Sequence, residues 1–205
     1  MPKIKICGLT RKQDIDAVNA ALPDYIGFVF ANSRRQVTPE SAKDLKTCLN
    51  PSIKAVGVFV NENMENIMRL CDSRVIDVVQ LHGDESEDYI RKLKSCVSNE
   101  IIKAVRVKSP EDIEKALKLP CDYLLLDTYH ENKYGGSGMT FDWSMIPDIG
   151  RPYFLAGGID SGNILQAIEQ FRPYCIDVSS GVETDGCKDP DKIREIVVKA
   201  KAAGR

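Results

Sequence analysis

The sequence predicts a (β/α)8 barrel, and three observations carry that prediction. Eight short β-branched runs recur along the chain. Helical or helix-like sequence follows each of them. No linker or low-complexity segment breaks the alternation, so residues 1–205 read as one domain, a single (β/α)8 TIM barrel. An open doubly wound sheet is the alternative for such a chain. That fold usually needs fewer strands and a G-x-G-x-x-G turn after the first. Here Cys7-Gly8-Leu9-Thr10 stands at that place.

The strands are expected at Lys3–Cys7, Tyr25–Phe30, Lys54–Val60, Asp77–His82, Ile101–Val107, Tyr123–Thr128, Tyr153–Gly157 and Cys175–Ser179. Thr10 with Gln13 reads as a capping box opening the first helix. Thr38-Pro39, Ser109-Pro110 and Asp189-Pro190 each set a capping side chain before a proline at the first helical position. Met64, Ile67, Met68 and Cys71 share a helical face. So do Ile164, Ala167, Ile168 and Phe171, and again Ile193, Ile196, Val197 and Ala200. The methionine and aromatic positions on these faces read as core packing.

Composition narrows the function. Lys and Arg number 28 against 30 Asp and Glu, a net charge of −2 that argues against a nucleic-acid binder. No apolar run is long enough to span a bilayer. The start, Met1-Pro2-Lys3-Ile4-Lys5, enters a strand pattern with no secretory apolar block. Seven dispersed cysteines without a C-x-x-C pair fit neither a disulfide framework nor a zinc ribbon. The expectation is a reduced, cytoplasmic protein. Two histidines, His82 and His130, are too few for most zinc enzymes, so neither metal nor cofactor is expected.

Strand alternation then places polar residues inside the barrel. Ile4 and Ile6 should meet the helices, which turns Lys5 and Cys7 inward. The same parity turns Gln80, His82, Asp127, Asp177 and Ser179 inward, and Lys103 is read with them. Singly, each has an ordinary structural explanation, and Lys5 with Asp177 could be a plain ion pair. Together they point to a working mouth, because buried charge is costly unless it is paired. Cys7, His82, Asp127 and Ser179 end their strands on the side where barrel enzymes keep their chemistry. Gly157-Gly158 and Ser180-Gly181 follow the last two strands, the usual phosphate site of such barrels. A third cluster, Tyr134-Gly135-Gly136-Ser137-Gly138, reads as a mobile lid beside Asp127 or as a plain flexible loop. Of Arg34 and Arg35, one is expected to grip a carboxylate and the other to lie solvated on the surface.

These segments carry a family pattern. Lys5-Ile6-Cys7-Gly8-Leu9-Thr10, Gly27-Phe28-Val29-Phe30, Ser33-Arg34-Arg35, Val56-Gly57-Val58-Phe59 and Gln80-Leu81-His82-Gly83 occur in order. Leu126-Asp127-Thr128, Gly135-Gly136-Ser137-Gly138, Phe141-Asp142-Trp143, Leu155-Ala156-Gly157-Gly158 and Asp177-Val178-Ser179-Ser180-Gly181-Val182-Glu183 follow. Over nearly its whole length the chain resembles the phosphoribosylanthranilate isomerases of tryptophan biosynthesis. It departs at Asp185-Gly186-Cys187-Lys188-Asp189, where the family usually has Pro-Gly before the Lys-Asp; this touches only local loop rigidity.

The resemblance implies an Amadori rearrangement of N-(5-phosphoribosyl)anthranilate, with no cofactor and no metal. It implies Cys7 as general base and Asp127 as general acid. It assigns Arg35 to the anthranilate carboxylate, and Gly157, Gly158, Ser180 and Gly181 to the phosphate. His82, Asp177, Gly135 and Gly136 fall at matching substrate-side positions. A monomer or a homodimer is implied, with no nucleic-acid or membrane partner. A ribulose-phosphate epimerase would need metal ligands this chain does not supply. An indole-glycerol-phosphate synthase would usually carry an extra N-terminal segment. An idle binding barrel would be favoured by loss of Cys7 or Asp127, and both are present.

Overall fold

The computed structural model describes residues 2–128, 143 and 146–203. Eight parallel strands close into a barrel in chain order. They are β1 (Lys3–Cys7), β2 (Tyr25–Val29), β3 (Lys54–Phe59), β4 (Val78–Leu81), β5 (Glu100–Val107), β6 (Tyr123–Thr128), β7 (Tyr153–Leu155) and β8 (Cys175–Val178). The seven described helices are α1 (Lys12–Ala21), α2 (Pro39–Thr47), α3 (Met64–Asp72), α4 (Glu87–Cys96), α5 (Pro110–Ala116), α6 (Ile164–Phe171) and α7 (Pro190–Ala202). A hairpin of two short strands, β9 (Glu183–Thr184) and β10 (Cys187–Lys188), precedes α7.

Two apolar layers hold the barrel. Ile4, Ile6, Ile26, Phe28, Val79, Leu81, Leu124, Leu126, Ile176 and Val178 pack outward against helix residues such as Ile15, Ile67, Ile90, Ile164 and Ile193. Removing each such side chain from water is worth roughly 1.5–3 kcal/mol. The second layer is inside the barrel. Tyr25, Val56, Val78, Ile102, Leu125, Phe154 and Cys175 fill its lower part. Most stand in the N-terminal half of their strands, so the polar inward residues are left to the C-terminal half. The Lys3 ammonium lies 5.4 Å from the Tyr25 ring centre and 5.2 Å from that of Tyr174, covering this plug from below.

Five strands end earlier than their sequence pattern extends, β3 among them, at Phe59 rather than Val60. β4 stops at Leu81, β7 at Leu155 and β8 at Val178, which leaves His82, Gly157 and Ser179 just beyond the ladder. β2 stops at Val29. Gly157 and Gly158 adopt φ of 90° and 64°, a left-handed course that a ladder cannot follow and that glycine accepts without strain.

Helix starts follow the expected prolines. Thr38 accepts a hydrogen bond from the Ser41 N–H, and Asp189 accepts from the N–H groups of Asp191 and Lys192. The expected Thr10–Gln13 box is not formed. Helix α1 starts one residue later, with Arg11 at its N-cap, and the buried Asp14 closes the turn instead. Its Oδ2 accepts from the N–H groups of Thr10 at 2.9 Å and Arg11 at 3.0 Å, while Oδ1 takes the Arg11 guanidinium at 2.7 Å. A carboxylate outcompetes a glutamine amide here because its charge strengthens each bond. Asp14→Ala should therefore cost about 1–3 kcal/mol, read as a lower urea midpoint. An unmoved midpoint would remove Asp14 from the helix start.

Candidate active site

A cavity of about 850 Å³ opens at the C-terminal ends of the strands. Cys7, Arg35, His82, Asp127, Gly157, Gly158, Asp177 and Ser180 all line it, as do Gln80 and Ser179. Eight of the residues assigned from sequence are thus brought to one space. Gly181 is not among its walls. A Cβ at that position would lie 2.0 Å from the Ile159 carbonyl oxygen, so this glycine lets the loop after β8 pack on the loop after β7. Gly135 and Gly136, with the rest of the 134–138 cluster, lie outside the described residues.

The cavity floor is a line of polar contacts across the barrel interior. Lys5 Nζ donates to Asp177 Oδ2 at 2.8 Å and to Gln80 Oε1 at 2.9 Å. Gln80 Nε2 and His82 Nδ1 are 2.9 Å apart. His82 Nε2 stands 3.2 Å from Asp127 Oδ2, without the alignment of a hydrogen bond. Lys5 is wholly buried. Burial alone would push its ammonium down, but the Asp177 carboxylate and the Cys7 sulfur together outweigh that and hold it above its ordinary value.

Lys103 does not join this group. It pairs in register with Leu81 and Leu124, both in the helix-facing layer, so it points out of the barrel. There its ammonium meets Glu85 Oε2 at 2.8 Å and the Gly83 carbonyl at 2.7 Å. Strand β5 carries apolar residues on both faces, among them Ile101, Ile102, Ala104 and Val105, so alternation alone could not tell its sides apart.

Cys7 sits at the end of β1, opposite Gly27 of β2. A Cβ on residue 27 would fall 2.6 Å from the Cys7 sulfur, so glycine there makes room for the thiol. Burial pushes the thiol up. The Lys5 and Lys188 ammonium groups pull it down, but burial prevails. Lys5 lies on the same strand face as Cys7, and Lys188 is a second cation. It reaches the site because Asp185 and Gly186, with φ of 51° and 78°, make the tight turn of the β9–β10 hairpin. Asp-Gly is a strong hairpin signal and could have revealed the fold-back.

The same hairpin carries Glu183. Its carboxylate accepts Arg35 Nε at 2.7 Å and Arg35 Nη2 at 3.0 Å. It also accepts Arg34 at 2.6 Å and Lys188 at 2.8 Å. The loops after β2 and β8 are thereby tied together. Neither arginine is a purely solvated residue, although the Arg34 side chain is 56% exposed. Arg35 lies over Gly8, where a Cβ would come within 2.4 Å of its Cδ. Among the described residues no hydrogen bond uses Arg35 Nη1, so that edge remains for a ligand. Nor is any group of three His, Cys, Asp or Glu side chains arranged among them to hold a metal ion.

Burial raises Glu183, yet its bonds to Arg35 and Lys188 bring it down to about 2. A carboxyl lowered on folding adds stability above its unfolded value, and that stability is lost as pH falls toward the folded one. The unfolding free energy should therefore drop between about pH 4.5 and 2, with a Glu183 share of roughly 3 kcal/mol. Urea titrations of wild type and Glu183→Gln across that range measure it. Parallel curves would show that the clasp adds nothing.

Comparison with known proteins gives this geometry a setting. The family model for N-(5'phosphoribosyl)anthranilate (PRA) isomerase matches residues 4–199. The N-(5'-phosphoribosyl)anthranilate isomerase of Endomicrobium trichonymphae is 48% identical, over 96% of this chain and 97% of that protein. The crystal structure of phosphoribosyl anthranilate isomerase from Thermotoga maritima superposes with a TM-score of 0.89 at 39% identity, covering 98% of this chain and 100% of that one. Another phosphoribosyl anthranilate isomerase structure, in complex with reduced 1-(o-carboxyphenylamino)-1-deoxyribulose 5-phosphate, aligns with a TM-score of 0.83 at 36% identity, over 98% and 100% of the two chains. With the model matched from the first strand into the last helix, and relatives this similar along their full length, the chain belongs to the N-(5'-phosphoribosyl)anthranilate isomerase family.

Proposed function

We propose that this chain converts N-(5-phosphoribosyl)anthranilate into 1-(2-carboxyphenylamino)-1-deoxyribulose 5-phosphate, with Asp127 as general acid and Cys7 as general base. The observation that carries the reading is one cavity with Cys7 and Asp127 on separate strands of its wall, β1 and β6. The reaction is an internal redox isomerisation in tryptophan biosynthesis. It moves protons within the substrate and calls for no external electron acceptor. Residues 1–205 act as one catalytic barrel, and we place the protein in the cytoplasm, in keeping with its seven unpaired cysteines.

Asp127 gives its proton to the furanose ring oxygen, and the ring opens to an iminium. Cys7, as thiolate, removes the proton from the sugar C2. The resulting enolamine tautomerises to the ketone. The thiolate is the base form, and Lys5 and Lys188 are the two cations that favour it against burial. The phosphate takes the glycine loops, where Gly157 and Gly158 bring bare backbone to the rim. Arg35 offers its Nη1 edge to the anthranilate carboxylate while Glu183 fixes the rest of the guanidinium. Asp177 keeps Lys5 in place below the substrate.

Loss of substrate fluorescence in purified, metal-free protein with freshly made phosphoribosylanthranilate tests the reading. Cys7→Ser and Asp127→Asn should each lower kcat about a hundredfold or more while KM changes little. Full turnover by either variant would remove that residue from the mechanism. Arg35→Ala should instead raise KM by about tenfold. A fall in kcat alone would show that Arg35 does not hold the carboxylate.

A further inference from the structure

We propose that Gln80 is a positioning residue, whose amide, turned by Lys5, confines the His82 proton to Nε2 and directs that N–H at Asp127. The inference rests on the reading of Asp127 as the acid, and it adds a role for two interior residues that touch no reacting atom.

The argument starts from Lys5. An ammonium group has donors only and no lone pair. The atom of Gln80 that stands 2.9 Å from it must therefore be the amide oxygen. That orientation leaves the Gln80 NH2 facing the His82 ring, at 2.9 Å from Nδ1. An amide NH2 also has only donors, so Nδ1 must accept and carries no proton. A neutral imidazole then holds its proton on Nε2, the nitrogen 3.2 Å from Asp127 Oδ2. The opposite tautomer, or an imidazolium, would set two N–H groups against each other in a buried place.

This order has a chemical consequence. When Asp127 is protonated, a proton moving to His82 would find Nε2 already occupied, and the lone pair on Nδ1 already engaged by Gln80. The imidazole cannot drain the proton that the ring oxygen needs. His82 instead presents a fixed N–H to Asp127 Oδ2, 3.2 Å away, placed to align with it as the acid gives up its proton. Asp177 completes the arrangement from the far side, because its bond keeps the Lys5 ammonium in line with Gln80.

Multiple-bond 1H–15N spectra of protein labelled at its two histidines test this directly, with His82→Asn assigning the signals. The wild type should show His82 with Nδ1 unprotonated and Nε2 protonated at neutral pH. Gln80→Glu puts an acceptor beside Nδ1, so the proton should move there. kcat should fall about tenfold or more with KM within about threefold, as when a triad histidine is held in its wrong tautomer. Gln80→Met removes the donor, and its His82 should show both tautomers. A wild-type Nδ1–H signal, or an imidazolium, would overturn the proposal. So would a Gln80→Glu protein that changes tautomer and keeps its kcat. If Gln80→Glu does not fold, the wild-type and Gln80→Met spectra decide. Failure of the acid assignment itself would appear separately, as an active Asp127→Asn.

Discussion

A charge sealed inside the barrel governs the rest of this structure. Lys5 is wholly buried, and a lone ammonium in such a place would be strongly disfavoured. Its two bonds, to Asp177 and Gln80, meet that demand and set the geometry above it. Asp177 comes from β8 and Gln80 from β4, so one lysine of β1 links strands on either side of the interior. The apolar plug of Tyr25, Val56, Ile102, Leu125 and Phe154 closes the space below. The buried pair is weak support for stability in its own right, since desolvation offsets much of the attraction. Its stronger effect is to give each neighbouring polar atom one orientation.

A second charged centre orders the rim. Glu183 receives two arginines and a lysine, and ties the loop after β2 to the hairpin after β8. The two centres meet at Cys7, which takes cationic influence from Lys5 below and from Lys188 beside it. Cys7, which we propose as the base, therefore sits where the interior and the rim share their charges. Burial works against a thiolate there, and the two cations work for it.

Much of this was legible in the chain. Alternation in β1, β4, β6 and β8 correctly turned Lys5, Cys7, Gln80, Asp127 and Asp177 inward, because each of these strands carries polar residues on one face and aliphatic residues on the other. The same rule failed for Lys103, since β5 is apolar on both sides and a parity rule needs contrast. Likewise Thr10 matched a capping pattern, but the turn went to Asp14, whose charge binds two backbone N–H groups at once. Glu183 and Lys188 stayed without a role because a turn at Asp185-Gly186, not their own spacing, brings them to the site.

What the sequence by itself determined was the alternating architecture, most of the described residues facing the mouth, and the family. These follow from periodicity and from local order along the chain, which fold into place without reference to distant partners. The tertiary structure alone decided which atoms meet. That Lys5 faces the oxygen of Gln80, that Arg35 is already half engaged by Glu183, and that Gly181 gives way to the Ile159 carbonyl all depend on strands brought together from far apart in the chain. Periodicity records which face a residue occupies. The closing of the barrel fixes the register of one face against another, and hydrogen-bond chemistry at angstrom range does the rest.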